Sequence, residues 1–100
     1  MKIFIKIHKT YRNVVALCDV ELIGKKFEEG KRQLYLRENF YKGKEVELDE
    51  AIKILKKQSI EDATFNIVGE NSIKAAIKAD IINKTSIDKI KNIPFTLVLI

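Results

Sequence analysis

Basic and aromatic side chains alternate along one short stretch of the chain, residues 25–44. This stretch contains three acidic residues and seven basic ones. The basic residues are Lys25, Lys26, Lys31, Arg32, Arg37, Lys42 and Lys44. Lys and Arg neutralise phosphates, and exposed aromatic rings stack on unpaired bases, so a strand face that shows Tyr35 and Arg37 together would suit single-stranded RNA. The candidate RNA-binding residues are therefore these seven cations with Tyr35 and Tyr41. The alternative is a solvated strand face, with Phe27 and Phe40 in the core.

A second group of charged side chains, Asp19, Glu21 and Lys25, suggests a different chemistry. On a helix that begins at Asp19, Glu21 and Lys25 are four residues apart and share a face. If the fold brought Asn66 beside them, they would form an acid–base site for a small acidic or phosphorylated substrate. The alternative is an exposed ion pair with no catalytic role. We expect a non-enzymatic protein and assign no catalytic residue.

The remaining reactive residue types indicate neither a metal site nor a cofactor. His8 falls on the polar face of a strand, and Cys18 lies in an apolar run where a thiol acts as a small hydrophobic group. One His and one Cys without carboxylates at ligand spacing do not make a zinc site. A Cys18–His8 nucleophile pair is the less favoured alternative. No glycine-rich nucleotide motif occurs, so Gly69 is interpreted as a tight strand-to-helix turn.

Length and composition indicate one folded domain spanning residues 1–100, with 46% hydrophobic residues and a single cysteine. No apolar run has the length of a membrane span, and the regular alternation of the first nine residues is unlike a signal peptide. We therefore expect a cytoplasmic protein. The net charge is +5, and its excess lies in residues 1–44, which carry 11 Lys and Arg against 5 Asp and Glu. Counts of 16 Lys, 16 Ile and 2 Gln resemble hyperthermophile composition, which raises the charge without any nucleic acid.

The apolar periodicities predict the elements that must position these residues. In the first half we expect a hairpin of strands 3–7 and 14–18, a short helix capped by Asp19 and ended by Gly30, a strand over 33–37, a turn over 39–44 and a helix over 47–58. In the second half we expect a strand over 63–68, a helix after Gly69, a strand at 81–82 completing a βαβ crossover, and strands over 86–90 and 95–100.

These elements predict an α+β fold: a mixed sheet of five or six strands with two or three helices, parallel pairing at the crossover and antiparallel pairing at the hairpin. The Ile-rich first strand, residues 1–7, and the terminal residues 94–100 are both candidate sheet edges. An apolar edge strand invites pairing with another chain, so a protein–protein adaptor or homodimer is the alternative function.

Several short motifs, spaced over nearly the whole chain, resemble the small archaeal family known as domain of unknown function 424. They are Cys18-Asp19-x-Glu21-Leu22-x-Gly24-Lys25, then Phe40-Tyr41, Asn66-x-Val68-Gly69-Glu70 and Ile93-Pro94. The resemblance marks Asp19, Glu21, Gly24, Lys25, Asn66, Gly69 and Glu70 as candidate functional positions, and it implies no catalytic residue or cofactor. Because members are encoded near translation and ribosome-assembly factors, the resemblance implies an RNA- or ribosome-associated role. Members continue after the proline with polar residues that include a histidine, where this chain has Phe95-Thr96-Leu97.

Overall fold

A computed structural model describes residues 2–99; Met1 and Ile100, which end the two candidate edges, lie outside the described residues. Eight strands and three helices follow one another within these described residues. They are β1 (Lys2–His8), β2 (Val14–Asp19), β3 (Lys26–Glu29), β4 (Arg32–Tyr35), α1 (Glu38–Tyr41), β5 (Lys44–Glu47), α2 (Leu48–Ile60), β6 (Thr64–Val68), α3 (Glu70–Lys78), β7 (Asp88–Ile90) and β8 (Ile93–Val98). Short 3-10 turns at Val20–Leu22 and Lys84–Ser86 complete the secondary structure.

Six strands form one mixed sheet in the order β5-β1-β2-β6-β8-β7, and β3 pairs with β4 in a separate two-stranded sheet. The pair β2–β6 is parallel, while the other pairs are antiparallel. The predicted α+β fold with an N-terminal hairpin is thus confirmed. The hairpin register pairs Ile5 with Leu17 and His8 with Val14.

One face of the large sheet carries the main core, because alternate residues of a strand point to the same side. Ile3, Val15 and Ile67 from three strands are fully buried there. They pack with Leu55 of α2 and Ala76 of α3, so both long helices cover this face.

A smaller core lies on the opposite face of the sheet. Cys18 and Val68 are neighbours across the β2–β6 pair, and they pack with Leu36 and Tyr41 from the segment that leads out of the β3–β4 hairpin. Phe27 of the hairpin packs against the edge of this cluster. The hairpin and α1 are therefore held on this face, and their outer surfaces are exposed.

Three sequence-based expectations about these elements are wrong. The helix expected after Asp19 is a 3-10 turn of three residues followed by β3, because the backbone of Gly24 has a positive φ of 78° that a helix cannot contain. Residues 81–82 form no strand. Instead they pack against the main core, and the crossover joins β2 to β6 by way of α2. The residues expected to form a turn, 39–44, include three of the four residues of α1 and the first residue of β5.

The expected sheet edges also differ from those observed. β5 and β7 are the outer strands, so β1 is paired on both sides over its first half. β7 pairs with Ile93 to Phe95 of β8 and leaves the rest of that strand without an outer neighbour. Within residues 2–99, no helix has both the length and the apolar character that crossing a membrane requires.

Candidate functional site

Tyr35 lies on the outer face of the β3–β4 hairpin. Its strand alternates, so Leu34 and Leu36 turn toward the smaller core while Tyr35 turns to solvent and remains 43% exposed. The register places Lys26 directly opposite Tyr35, and neighbours across a strand pair share a face. The hairpin therefore presents an aromatic ring with a cation beside it.

Two cations lie over the Tyr35 ring. The Arg37 guanidinium carbon is 4.6 Å from the ring centroid, and the Lys26 Nζ is 6.0 Å from it. Both separations are within the range of cation–π attraction, which holds the ring and the guanidinium together as one flat, positively charged surface. The alternation in residues 33–37 correctly predicted that Tyr35 and Arg37 share a face.

Gly24 shapes the floor beside this surface. Lys25 N–H donates to the Leu22 carbonyl at 3.1 Å, and Ile23 (φ −59°, ψ 136°) precedes Gly24 (φ 78°), which together describe a type II turn. Gly24 N–H then donates to Leu36 O, and Leu36 N–H donates to Lys25 O, so two residues face one in a glycine bulge. A Cβ on Gly24 would meet nothing within 4 Å.

An open depression of about 430 Å³ results, lined by Gly24, Tyr35, Arg37, Glu38 and Asn39. We call it the Tyr35 depression. Its far wall is fixed, because the Lys6 ammonium of β1 donates to the Asn39 carbonyl at 2.8 Å and ties α1 to the sheet. Glu38 and Asn39 were not among the predicted site residues, although they follow Arg37 directly in the basic stretch.

The other predicted RNA-binding residues are only partly gathered around this depression. Lys25 lies in the adjoining bulge, and Lys31 is at the exposed hairpin tip. Arg32 forms an ion pair with Asp88 at 2.5 Å, and the pKa of Asp88 is lowered by the Lys89 backbone N–H and by Arg32. Lys44 pairs with Glu50 of α2, away from the hairpin.

Tyr41 was predicted to contact RNA, and this is wrong. Its side chain is only 8% exposed and packs in the smaller core with Cys18. Burial, with the nearby Cys18 thiol, raises the pKa of Tyr41 to about 12, so the phenol is neutral. Lys42, one residue on, lies 4.0 Å from Glu38 in an exposed pair.

Asp19 occupies a separate and largely enclosed site at the end of β2. The residue is 2% exposed, and its carboxylate accepts three hydrogen bonds: from Asn71 N–H at 3.0 Å, Ser72 N–H at 2.8 Å and the Ser72 hydroxyl at 2.7 Å. Asp19 therefore caps α3 across the sheet, whereas it was expected to cap the residues that follow it. Burial raises the pKa of Asp19, and these hydrogen bonds oppose that rise.

A small cavity of about 140 Å³ adjoins this carboxylate, and its lining includes Glu21, Gly69, Glu70 and Asn92. Four of the candidate positions, Asp19, Glu21, Gly69 and Glu70, thus meet at one place. Lys25 and Asn66 do not line the cavity, and within the described chain no ion pair joins Glu21 to Lys25. The acid–base arrangement considered from the sequence is therefore not formed. Ser72, whose hydroxyl and N–H complete the Asp19 site, carried no signal in the sequence.

The two reactive side chains of the β1–β2 hairpin, Cys18 and His8, are both occupied by packing or hydrogen bonding within the fold. Cys18 is fully buried, and burial, with Asp19 next to it, raises the pKa of its thiol to about 12. His8 stacks on Phe40 with ring centroids 4.6 Å apart, and its Nε2 donates to the Phe40 carbonyl at 2.8 Å. His8 and Cys18 pair with different residues of the facing strand, Val14 and Phe4, four positions apart along the hairpin. Within residues 2–99, no three His, Cys, Asp or Glu side chains are grouped so that they could hold a metal ion.

Comparison with known proteins gives a family and a fold. Residues 7–100 match the model of a family described as "Protein of unknown function (DUF424)". No curated protein sequence matches. A crystal structure of an uncharacterised conserved protein from the archaeon Methanopyrus kandleri is similar, with a TM-score of 0.88, 29% sequence identity, and coverage of 98% of this chain and 90% of that one. The chain therefore belongs to the DUF424 family.

Proposed function

We propose that this protein is a non-enzymatic RNA-binding module that holds single-stranded RNA on the Tyr35 depression. The observation that carries the proposal is the exposed Tyr35 ring with Arg37 and Lys26 over it. Exposure alone does not distinguish Tyr35, because Tyr11 is more exposed; the two cations over the Tyr35 ring do. A ring that is 43% exposed and has two cations close to it is suited to stacking on a base whose phosphates the cations neutralise.

The local charge supports this use of the ring. Arg37 lines the depression and Lys26 lies over the Tyr35 ring, while Lys25 directly follows the lining residue Gly24 and Lys31 is exposed at the hairpin tip. Lys26 also lies 3.5 Å from Glu28, but both side chains are about half exposed or more, so the pair is weak and phosphate can compete for the lysine.

Single strands fit this surface better than duplexes. The bases of a duplex are stacked on one another and leave no face for Tyr35, whereas unpaired bases of a loop or tail can turn onto an aromatic ring or a guanidinium plane. A ribosomal or other structured RNA would be bound through such an unpaired segment.

Binding of a labelled single-stranded RNA, measured by fluorescence anisotropy over a range of salt concentrations, tests the proposal. If Lys25, Lys26 and Arg37 each neutralise one phosphate, the plot of log K against log salt should have a slope of roughly −2. A matched RNA duplex should bind more weakly. Undetectable binding at low salt, or an affinity that stays flat as salt rises, would overturn the proposal.

A second function, pairing with another copy of the chain through β8, is favoured by one observation. Leu97 and Leu99 are 54% and 70% exposed, and within the described residues no strand pairs with the outer side of β8 beyond Phe95. Because Gly69 N–H donates to Pro94 O, the alternation of an antiparallel ladder turns the main-chain groups of Leu97 away from β6. Sedimentation equilibrium tests this second proposal: a dimer that Leu97→Lys dissociates would support it, and a monomer at all concentrations would remove it.

A further inference from the structure

We infer, on the basis of the RNA binding proposed above, that the Tyr35 depression accepts a guanine base whose edge is read by Glu38 and Asn39. Both residues line the depression immediately beyond Arg37. Their side chains can form hydrogen bonds with a base, whereas Tyr35 and Arg37 provide a flat surface on which the base can stack. A base stacked on this surface would have Glu38 and Asn39 of α1 within the same depression.

The carboxylate of Glu38 is the informative group. A depression lined only by cations would hold phosphate of any sequence, but a carboxylate repels phosphate and accepts hydrogen bonds from N–H groups. Glu38 is mostly exposed, and its one ion-pair partner among the described residues, Lys42, is 4.0 Å away at the limit of contact. Its oxygens are therefore available to a ligand.

Guanine is the RNA base that matches this pair of side chains. Its Watson–Crick edge carries two adjacent donors, N1–H and the 2-amino group, beside one acceptor, O6. The Glu38 carboxylate can accept from both donors, and the Asn39 amide can donate to O6. Adenine and cytosine each present one donor group on that edge, and uracil presents one N–H between two acceptors, so each loses a hydrogen bond to Glu38.

The position of Asn39 is fixed independently of any ligand. Lys6 of β1 donates to its carbonyl oxygen, and His8 of the same strand donates to the carbonyl of the next residue, Phe40. Two strand side chains thus hold the backbone of α1 against the sheet. The backbone from which Glu38 and Asn39 project therefore does not have to be ordered on binding, which favours discrimination between bases.

Short uridine tracts with one varied central base, G, A, C, U or inosine, provide the test by anisotropy. We expect the guanine RNA to bind about tenfold more tightly than the uridine RNA, the lower end of the range for a good bidentate contact. Inosine, which lacks the 2-amino group, should lose most of this preference. Glu38→Gln should abolish the preference, while Glu50→Gln, the same charge change on α2, should leave the preference intact.

The outcomes distinguish failure of the guanine site from failure of RNA binding itself. Equal binding of all five RNAs, or a guanine preference that survives Glu38→Gln, would overturn the guanine site and leave RNA binding standing. Failure of every RNA to bind the wild-type protein would overturn both. A urea-unfolding midpoint of Glu38→Gln close to that of wild type shows that the variant is folded.

Discussion

Gly69 allows Asp19 to reach the first turn of α3. A Cβ atom at position 69 would lie 2.6 and 2.7 Å from the two carboxylate oxygens of Asp19, closer than any real Cβ contact. The Gly69 backbone also has φ 107° and ψ 155°, a region open almost only to glycine. The glycine between β6 and α3 is therefore required by a side chain that comes from β2.

Gly69→Ala should be strongly destabilising, because Asp19 is held by three hydrogen bonds and cannot move aside. The backbone strain alone costs about 1–3 kcal/mol, and the collision adds to it. Gly30→Ala is the matched control, since Gly30 also has a positive φ (62°) but no neighbour within 4 Å of the added Cβ. We expect that control to lose about 1–2 kcal/mol. Urea unfolding that found the two variants equally stable would contradict the close approach of Gly69 and Asp19.

Tyr41→Phe should change the response of stability to alkaline pH. In the folded protein the pKa of Tyr41 is about 12, against an ordinary value of 10.0. The phenol therefore ionises at lower pH in the unfolded chain than in the folded protein. As a result, the folded protein loses stability relative to the unfolded chain as pH rises from about 10. Phenylalanine removes this loss. The free energy of unfolding of the variant, relative to wild type, should rise by about 1 kcal/mol between pH 8 and pH 11.

Every other titrating group, Cys18 included, is common to the two proteins. The difference between their free energies of unfolding therefore reports the ionisation of Tyr41 alone. Urea unfolding at the two pH values measures it. If the two proteins lost stability in parallel, the phenol would be exposed, and Tyr41 would return as a candidate for RNA contact.

Arg37→Lys should weaken RNA binding without changing its dependence on salt. Lysine keeps the positive charge but has no planar group to lie on the Tyr35 ring or beneath a base. We expect a loss of roughly two- to fivefold, the size of an exposed cation–π contact. Arg37→Gln should in addition make the slope of log K against log salt shallower by about 0.7. Equal affinity of Arg37→Lys and wild type would show that only charge matters at this position.

Local patterns in the sequence were sufficient for most of the fold. The alternation in β1 and β4, and the apolar stripe of α3 after Gly69, depend on residues close in sequence, and each corresponds to an observed element. β5 was missed because Val46 is its only buried residue. β5 belongs to the sheet because it pairs with β1, and a pairing between distant segments leaves no pattern in the local sequence.

The candidate site, like the fold, was predictable only where it depends on residues close in sequence. The shared face of Tyr35 and Arg37 follows from strand alternation and was predicted. Asp19 was given the wrong partner because its hydrogen bonds go to residues more than 50 positions away. The helix expected after Asp19 matched the spacing of Leu22, Ile23 and Phe27, but the type II turn at Gly24 prevents it. The same turn creates the Tyr35 depression.

The most direct test of RNA binding at the hairpin compares two tyrosine variants. Tyr35 lies on the hairpin, whereas Tyr11 is fully exposed in the β1–β2 turn, outside the residues that line the depression. Affinity for a single-stranded RNA is measured for Tyr35→Ala, Tyr11→Ala and wild type at one low salt concentration. Stacking is worth about 1–3 kcal/mol per base, so we expect Tyr35→Ala to bind roughly 5- to 150-fold more weakly and Tyr11→Ala to bind like wild type. Wild-type affinity in Tyr35→Ala, or an equal loss in both variants, would contradict RNA binding at the Tyr35 depression.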